Sequence, residues 1–261
     1  TEVRELPKGP ATQDATGVKA PARTYQDLLR NKQDEAKFDY YTTASWERVR
    51  LNGTRERVLK EGVYMGFSYS PDGKYLLTQE VKQPYSYTLT YGSFPSQVNI
   101  YSIDGQFIKT FYDRPLQDKV PVNFDATEAG KRYIQWRDDM PATLYWCVAP
   151  DGGNPEQPAE YRDEVYQAAY PFTDEQLMCK LKNRFSGIDF GTKNMAIVSD
   201  SWWKNRNSRT YLIDPSVANS TPKVLFDVSS EDLYNDPGNF VSTYNEWNRP
   251  VLMTSKNGKQ L

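Results

Sequence analysis

An all-β fold made of repeated antiparallel units is what this 261-residue sequence predicts, on three observations. Aromatic residues make up 14% of the chain and hydrophobic residues only 38%, a stock that suits pleated, half-buried strands better than the apolar stripes of helices. From Phe38 onward, apolar and polar residues alternate with period two in short runs separated by Gly, Pro, Asn and Asp. The runs also recur: the hairpin turn Asn52-Gly53 is echoed by Asp104-Gly105, 52 residues further on.

The first 23 residues carry Pro7, Gly9, Pro10, Gly17 and Pro21 without periodicity and read as a connector. Thr24 then offers an N-cap, Asp27 an acid three positions on, and Tyr25, Leu28 and Leu29 an apolar face, which predicts a short helix. Residues 1–37 are therefore expected to be a linker with a short helix, and residues 38–261 the β region. An outer hairpin pairs residues 46–51 with 54–59. An inner pair follows: Tyr64-Met65-Gly66-Phe67-Ser68-Tyr69, the turn Pro71-Asp72-Gly73, then Tyr75-Leu76-Leu77. In that turn Pro presets φ and Gly permits φ > 0. Residues 98–103 and 106–111 form the next outer hairpin, 133–136 and 142–146 an inner pair, and 187–190 with 195–198 another. Outer pairs fit at 165–170 with 177–181 and at 209–214 with 223–227. A last inner pair falls at 240–243 and 250–255. Apolar inner hairpins alternating with more polar outer ones, at intervals of about 45 to 70 residues, trace four-stranded propeller blades. The expected architecture is a partial β-propeller of about three full blades with part of one at each end, either a segment cut from a larger propeller or a domain whose sheet edges are covered. A β-sandwich also uses short strands and turn signals; the repeat favours blades.

Composition excludes several chemistries. The chain has no histidine, which removes Ser-His-Asp and Cys-His nucleophile systems, the imidazole base and every His-containing zinc site. Its two cysteines, Cys147 and Cys179, fall on the second and fourth strands of one blade. Two strand spacings put them about 9 to 10 Å apart, beyond the ~7 Å limit for a disulfide, so two free thiols are expected. With 32 basic and 34 acidic residues the net charge is −2, which argues against a nucleic-acid partner. No apolar run reaches the ~20 residues of a membrane span, and no cofactor or metal motif is present.

The segment Gly66-Phe67-Ser68-Tyr69-Ser70 lacks the second glycine of a nucleophile elbow and puts Ser68 inside a strand, with no base to activate it. Asp138-Asp139 reads as turn chemistry rather than an acid/base pair, and Asp151-Gly152-Gly153-Asn154 as a flexible inter-strand turn without the ligand spacing of a calcium loop. The densest feature is the run from Ser201 to Tyr211, where Lys204, Arg206 and Arg209 lie among Trp202, Trp203 and Tyr211. A polar hairpin with arginines across the tryptophan rings accounts for it. So does a carboxylate site in which Arg206 or Arg209 closes its planar fork on the anion. A stacking platform for single-stranded nucleic acid is a third account, which the net charge disfavours.

An ordered series of short stretches carries a resemblance. It comprises Arg23-Thr24-Tyr25-Gln26-Asp27-Leu28-Leu29, Phe38-Asp39-Tyr40-Tyr41, Pro84-Tyr85-Ser86-Tyr87, Gly92-Ser93-Phe94-Pro95, Ile134-Gln135-Trp136-Arg137, Thr143-Leu144-Tyr145-Trp146 and Asp151-Gly152-Gly153. The run from Ser201-Trp202 to Thr210, then Leu225-Phe226-Asp227-Val228-Ser229-Ser230-Glu231-Asp232 and Tyr234-Asn235-Asp236-Pro237-Gly238, continue it. Together they resemble, over essentially the whole chain, the propeller of the glutamyl endopeptidase branch of the prolyl oligopeptidase family of serine peptidases. The resemblance implies a propeller N-terminal to an α/β-hydrolase domain bearing Ser, Asp and His, with peptide substrate entering between the two. None of those triad positions has a counterpart here, so no catalytic residue carries over. The implied partners are the hydrolase domain of the same parent chain and a peptide; the implied role is gating access to the hydrolase site. Arg206 and Arg209 are the candidates for an acidic-side-chain pocket, on charge complementarity alone. Bacterial members of the branch are generally exported and plant members plastidial, which leans toward a periplasmic or exported parent. The alternative is a non-enzymatic propeller that binds proteins or glycans, which the abundant Tyr and Trp also suit.

Overall fold

In the computed structural model, residues 25–192, 194–232 and 234–255 are described, and their one helix, α1 (Lys32–Thr42), starts at Asn31. The Asn31 side chain accepts from the Asp34 N–H at 3.0 Å, while the Asp34 carboxylate accepts from the Arg30 N–H at 3.1 Å, a reciprocal cap with acids in the first turn. The helix therefore lies later than the one expected from Thr24 to Leu29. Thr24 is outside the described residues, and residues 25–31 are irregular, with bends at Gln26, Asp27 and Asn31. Helix also occupies Phe38 to Thr42, the start of the stretch expected to be the β region. Phe38 packs edge-on against Tyr85 and Phe94, at 5.1 and 5.9 Å between ring centres, and so anchors α1.

Five strands follow in one sheet, in chain order: β1 (Thr43–Val49), β2 (Arg55–Tyr69), β3 (Tyr75–Val81), β4 (Ser96–Ser102) and β5 (Phe107–Arg114). The expected outer hairpin and inner pair share this sheet because β2 runs unbroken through both. Register shifts on either side of Trp46 bend the β1 hairpin. Trp46, Val58 and Tyr64 then cover Leu59, Leu76 and Tyr101. Both turn glycines are left-handed, Gly53 at φ +83° and Gly105 at φ +81°, as their turns require.

The remaining strands form three further antiparallel sheets, each in chain order. One holds β6 (Arg132–Trp136), β7 (Thr143–Val148), β8 (Asp163–Ala169) and β9 (Gln176–Leu181). The next holds β10 (Arg184–Thr192), β11 (Met195–Trp202), β12 (Asn207–Ile213) and β13 (Lys223–Ser229). The last pairs β14 (Ser242–Tyr244) with β15 (Pro250–Leu252). The fold is all-β, its strand pairs fall where the turn residues place them, and among the described residues no sheet closes on itself.

The chain divides into two compact units: the described part of Thr1–Ser68 with Tyr75–Lys119, and Tyr69–Lys74 with the described part of Val120–Leu261. Within the second, the two four-stranded sheets pack face to face. Tyr145, Cys147, Val165, Met178 and Cys179 from one meet Phe185, Phe190, Ala196, Val198 and Tyr211 from the other. Each fully buried apolar side chain of this size contributes about 1.5–3 kcal/mol. Cys147 and Cys179 each pair with Val165 from opposite sides, so β8 separates them and both remain free thiols.

Candidate functional site

Because each four-stranded sheet is a meander in chain order, its first and third strands start at the same end. Those first residues are charged or polar: Arg132 on β6, Asp163 on β8, Arg184 on β10 and Asn207 on β12. The ends of the two sheets meet in a buried network. Arg184 grips the Asp151 carboxylate with both terminal nitrogens, at 2.9 and 2.7 Å, and reaches Asp163 at 3.2 Å. Arg162 adds a bond to Asp151 at 2.9 Å, and Arg132 one to Asp163 at 2.6 Å. The Gly153 and Phe185 N–H groups complete the two carboxylates, at 3.0 and 2.7 Å. Neither carboxylate side chain touches solvent, so their charges depend on these donors.

Burial works against ionisation at Asp151, but the bonds from Arg184 and Arg162 outweigh it and hold the carboxyl below its ordinary range. At Asp163 burial prevails over the charge and hydrogen bond of Arg132, and the pKa rises.

The network carries the aromatic and cationic run of the sequence. The Trp202 ring lies under Arg162, at 4.8 Å, and Arg184, at 5.8 Å. Arg184 also donates from Nε to the Asp125 carbonyl at 2.9 Å. The Asp125 carboxylate in turn accepts from the Trp203 and Lys204 N–H groups, at 2.7 and 3.2 Å. That pins the short 3-10 turn Trp203–Asn205. Trp203 and Phe124 stack at 5.4 Å with 50% and 79% of their surfaces exposed, an apolar ledge at the sheet end. Arg206 follows in a left-handed conformation, φ +56°, with its guanidinium 3.6 Å over the Trp203 ring and 3.0 Å from Glu231.

Arg206, in the turn before β12, and Arg209, within β12, thus share no anion. Arg209 is in β12, opposite Asp227 of β13, and bonds to it at 2.9 Å. Asn207 donates to the same carboxylate at 2.6 Å; its bond and that of Arg209 hold Asp227 below the ordinary carboxylate range. The other residues singled out from the sequence do not converge. Ser68 is a strand residue of β2. Asp139 is committed to Arg137 through bonds of 2.9 and 2.6 Å, while burial pushes the neighbouring Asp138 carboxyl up. Asp151 departs from expectation: it anchors the buried network, and its loop is pinned rather than flexible because two arginines hold its carboxylate.

Asp125, Arg132, Arg162, Asp163 and Arg184 escape sequence reasoning, being single charges at strand starts and in loops, far from their partners in sequence. Their one signal is position, since three of them open a first or third strand. Two clefts lie in the same unit. One, about 500 Å³, is lined by Arg137, Thr143, Gln167 and Tyr170; the other, about 620 Å³, by Ile213, Asp214, Ser220 and Thr254. Neither is lined by Arg206 or Arg209.

Over 237 residues, 89% of the chain, the sequence is 39% identical to a probable chloroplastic glutamyl endopeptidase of Oryza sativa subsp. japonica. The corresponding protein of Arabidopsis thaliana is 38% identical over the same length. The chain is homologous to part of these glutamyl endopeptidases. It spans about a quarter of their length, 25% of each. No family model matches. Among solved structures, an uncharacterized protein of Listeria monocytogenes is similar with a TM-score of 0.30 and 9% identity, covering 80% of this chain and 62% of that one, too distant to bear on the fold.

Proposed function

We propose that residues 38–261 are a β-propeller segment of a glutamyl endopeptidase of the prolyl oligopeptidase type. In this reading the segment gates and helps bind peptide substrate for an α/β-hydrolase domain of the same parent chain. The observation that carries it is the 39% identity to a protein so named, over most of this chain but a quarter of that one. Sheets of four strands in chain order, packed face to face, support the propeller, since that is the unit a propeller repeats. A chain without histidine supplies no imidazole base, so the hydrolytic groups belong to the other domain.

The segment's work is then selection. A propeller over a hydrolase site admits peptides and unfolded segments and excludes folded proteins. Arg206 and Arg209 supply cations for acidic side chains, and the Trp203 and Phe124 faces supply apolar contact. The test is kinetic, on the full-length parent with a short glutamate-containing peptide and with a folded protein displaying the same sequence. Cleavage of the peptide at least a hundredfold faster is expected; equal rates overturn the gating role. A second reading, a non-enzymatic module for proteins or glycans, draws on the exposed Trp203 and Phe124 stack. Absence of peptidase activity in the parent, with retained glycan or protein binding, selects it.

A further inference from the structure

Arg206 and Arg209 differ in how their carboxylates are held. Asp227 faces Arg209 within the β12–β13 ladder and is also bonded by Asn207, so its release disturbs two strands. Glu231 comes from the turn after β13, its side chain is 68% exposed, and among the described residues it is the one carboxylate on Arg206. Arg206 is fixed without it. Its backbone is left-handed, its carbonyl accepts from the Ser230 N–H at 2.7 Å, and its guanidinium rests on the Trp203 ring. The backbone that carries the ring is pinned in turn, the Asp125 carboxylate accepting from the Trp203 and Lys204 N–H groups. If Glu231 swings away, the arginine fork stays in place beside an exposed aromatic ledge.

We infer that Glu231 is a built-in plug on Arg206, and that the acidic side chain of a bound peptide replaces it, with the peptide lying against Trp203 and Phe124. The inference rests on the peptide-binding reading above and adds to it the residue that yields. One carboxylate leaves as another enters, so the network beneath keeps its charge balance. The plug lowers affinity by what an exposed ion pair is worth, about two- to fivefold. Arg206 is then the specificity-determining residue of the pair, and Arg209 a ladder residue.

The experiment is fluorescence anisotropy of a fluorescein-labelled pentaglutamate peptide on the purified chain at low salt, with pentaglutamine as the neutral probe. Glu231→Gln is expected to bind pentaglutamate about two- to fivefold tighter than wild type. Asp236→Asn, which removes the same charge from the same loop, is expected to bind like wild type. Arg206→Ala loses the preference for pentaglutamate, and Arg206→Lys, which keeps the charge and loses the fork, recovers only part of it. The inference is overturned if Glu231→Gln binds no tighter than Asp236→Asn, if Arg206→Ala binds like wild type, if no variant prefers glutamate, or if Arg206→Lys matches wild type. Thermal melting of each variant establishes that it is folded. A parent without peptidase activity removes the proposed function and leaves the exchange standing; a peptidase whose segment shows no exchange does the reverse.

Discussion

Arg184 and Asp151, 33 positions apart in the chain, meet fork to fork through bonds of 2.9 and 2.7 Å, with the carboxylate wholly out of solvent. This pair joins the start of β10 to the loop after β7, and Arg184 continues to Asp163 and Asp125. Removing the cation strands buried negative charge. Arg184→Met is therefore expected to cost about 3–5 kcal/mol, read as a fall in the urea midpoint. Arg209→Met, which breaks a partly exposed pair, is expected to cost at most about 1 kcal/mol. Equal losses for the two contradict the assignment of Arg184 as the hub.

The same network sets an acid response whose sign follows from its two carboxylates. Asp151 is held below the ordinary range, so it adds stability above its unfolded pKa of about 3.9, and that stability is lost as pH falls through the folded value. Asp163 is raised by burial, so the folded state favours its proton and its contribution runs the other way. Asp151→Asn removes the first effect and leaves the second. Urea unfolding at stepped pH should show the variant losing stability less steeply than wild type between about pH 4 and 2. Parallel slopes contradict the depressed Asp151.

Cys147 and Cys179 flank Val165 on strands that pair with β8 and not with each other, and burial pushes both thiols up to about 12. At pH 8 iodoacetamide should leave the native protein unmodified, and in guanidinium without reductant it should add two groups. An intact mass two hydrogens short, with no alkylation after unfolding, contradicts the strand placement.

Gly53 and Gly105 hold equivalent turns with nearly equal φ, yet a Cβ at Gly53 meets open space and one at Gly105 would stand 2.1 Å from the Val58 carbonyl oxygen. Gly53→Ala carries only the left-handed strain, about 1 kcal/mol. Gly105→Ala adds the clash, a further 1–3 kcal/mol or so, and a lower melting temperature. If both variants melt together, the β4–β5 turn does not pack on β2 as described.

The strand pairs are legible in the sequence because Asn52-Gly53, Pro71-Asp72-Gly73 and Asp104-Gly105 mark hairpin ends by local conformational preference. The helix start is not. Thr24 and Asn31 are both capping types, and what favours Asn31 includes the docking of Phe38 on Tyr85 and Phe94, far along the chain. The continuity of β2, by contrast, follows a local signal: no turn residue pair separates Leu59 from Tyr64, and the expected outer and inner segments make one strand. At the site, the stacking of Arg206 on Trp203 is legible, being a three-residue contact. The support of that turn by Asp125 is not, since it lies 78 positions before Trp203. Isolated charges at strand starts look like solvated ones until the fold brings them together.

In the proposed function the segment works beside a serine nucleophile that lies outside these 261 residues. Treatment of the full-length parent with a fluorophosphonate, followed by mass spectrometry of its peptides, tests it most directly. One labelled serine is expected, in a Gly-x-Ser-x-Gly segment outside this chain, with no label on the isolated 261 residues. Label on Ser68 or any other serine of this chain, or a parent that takes no label at all, contradicts it.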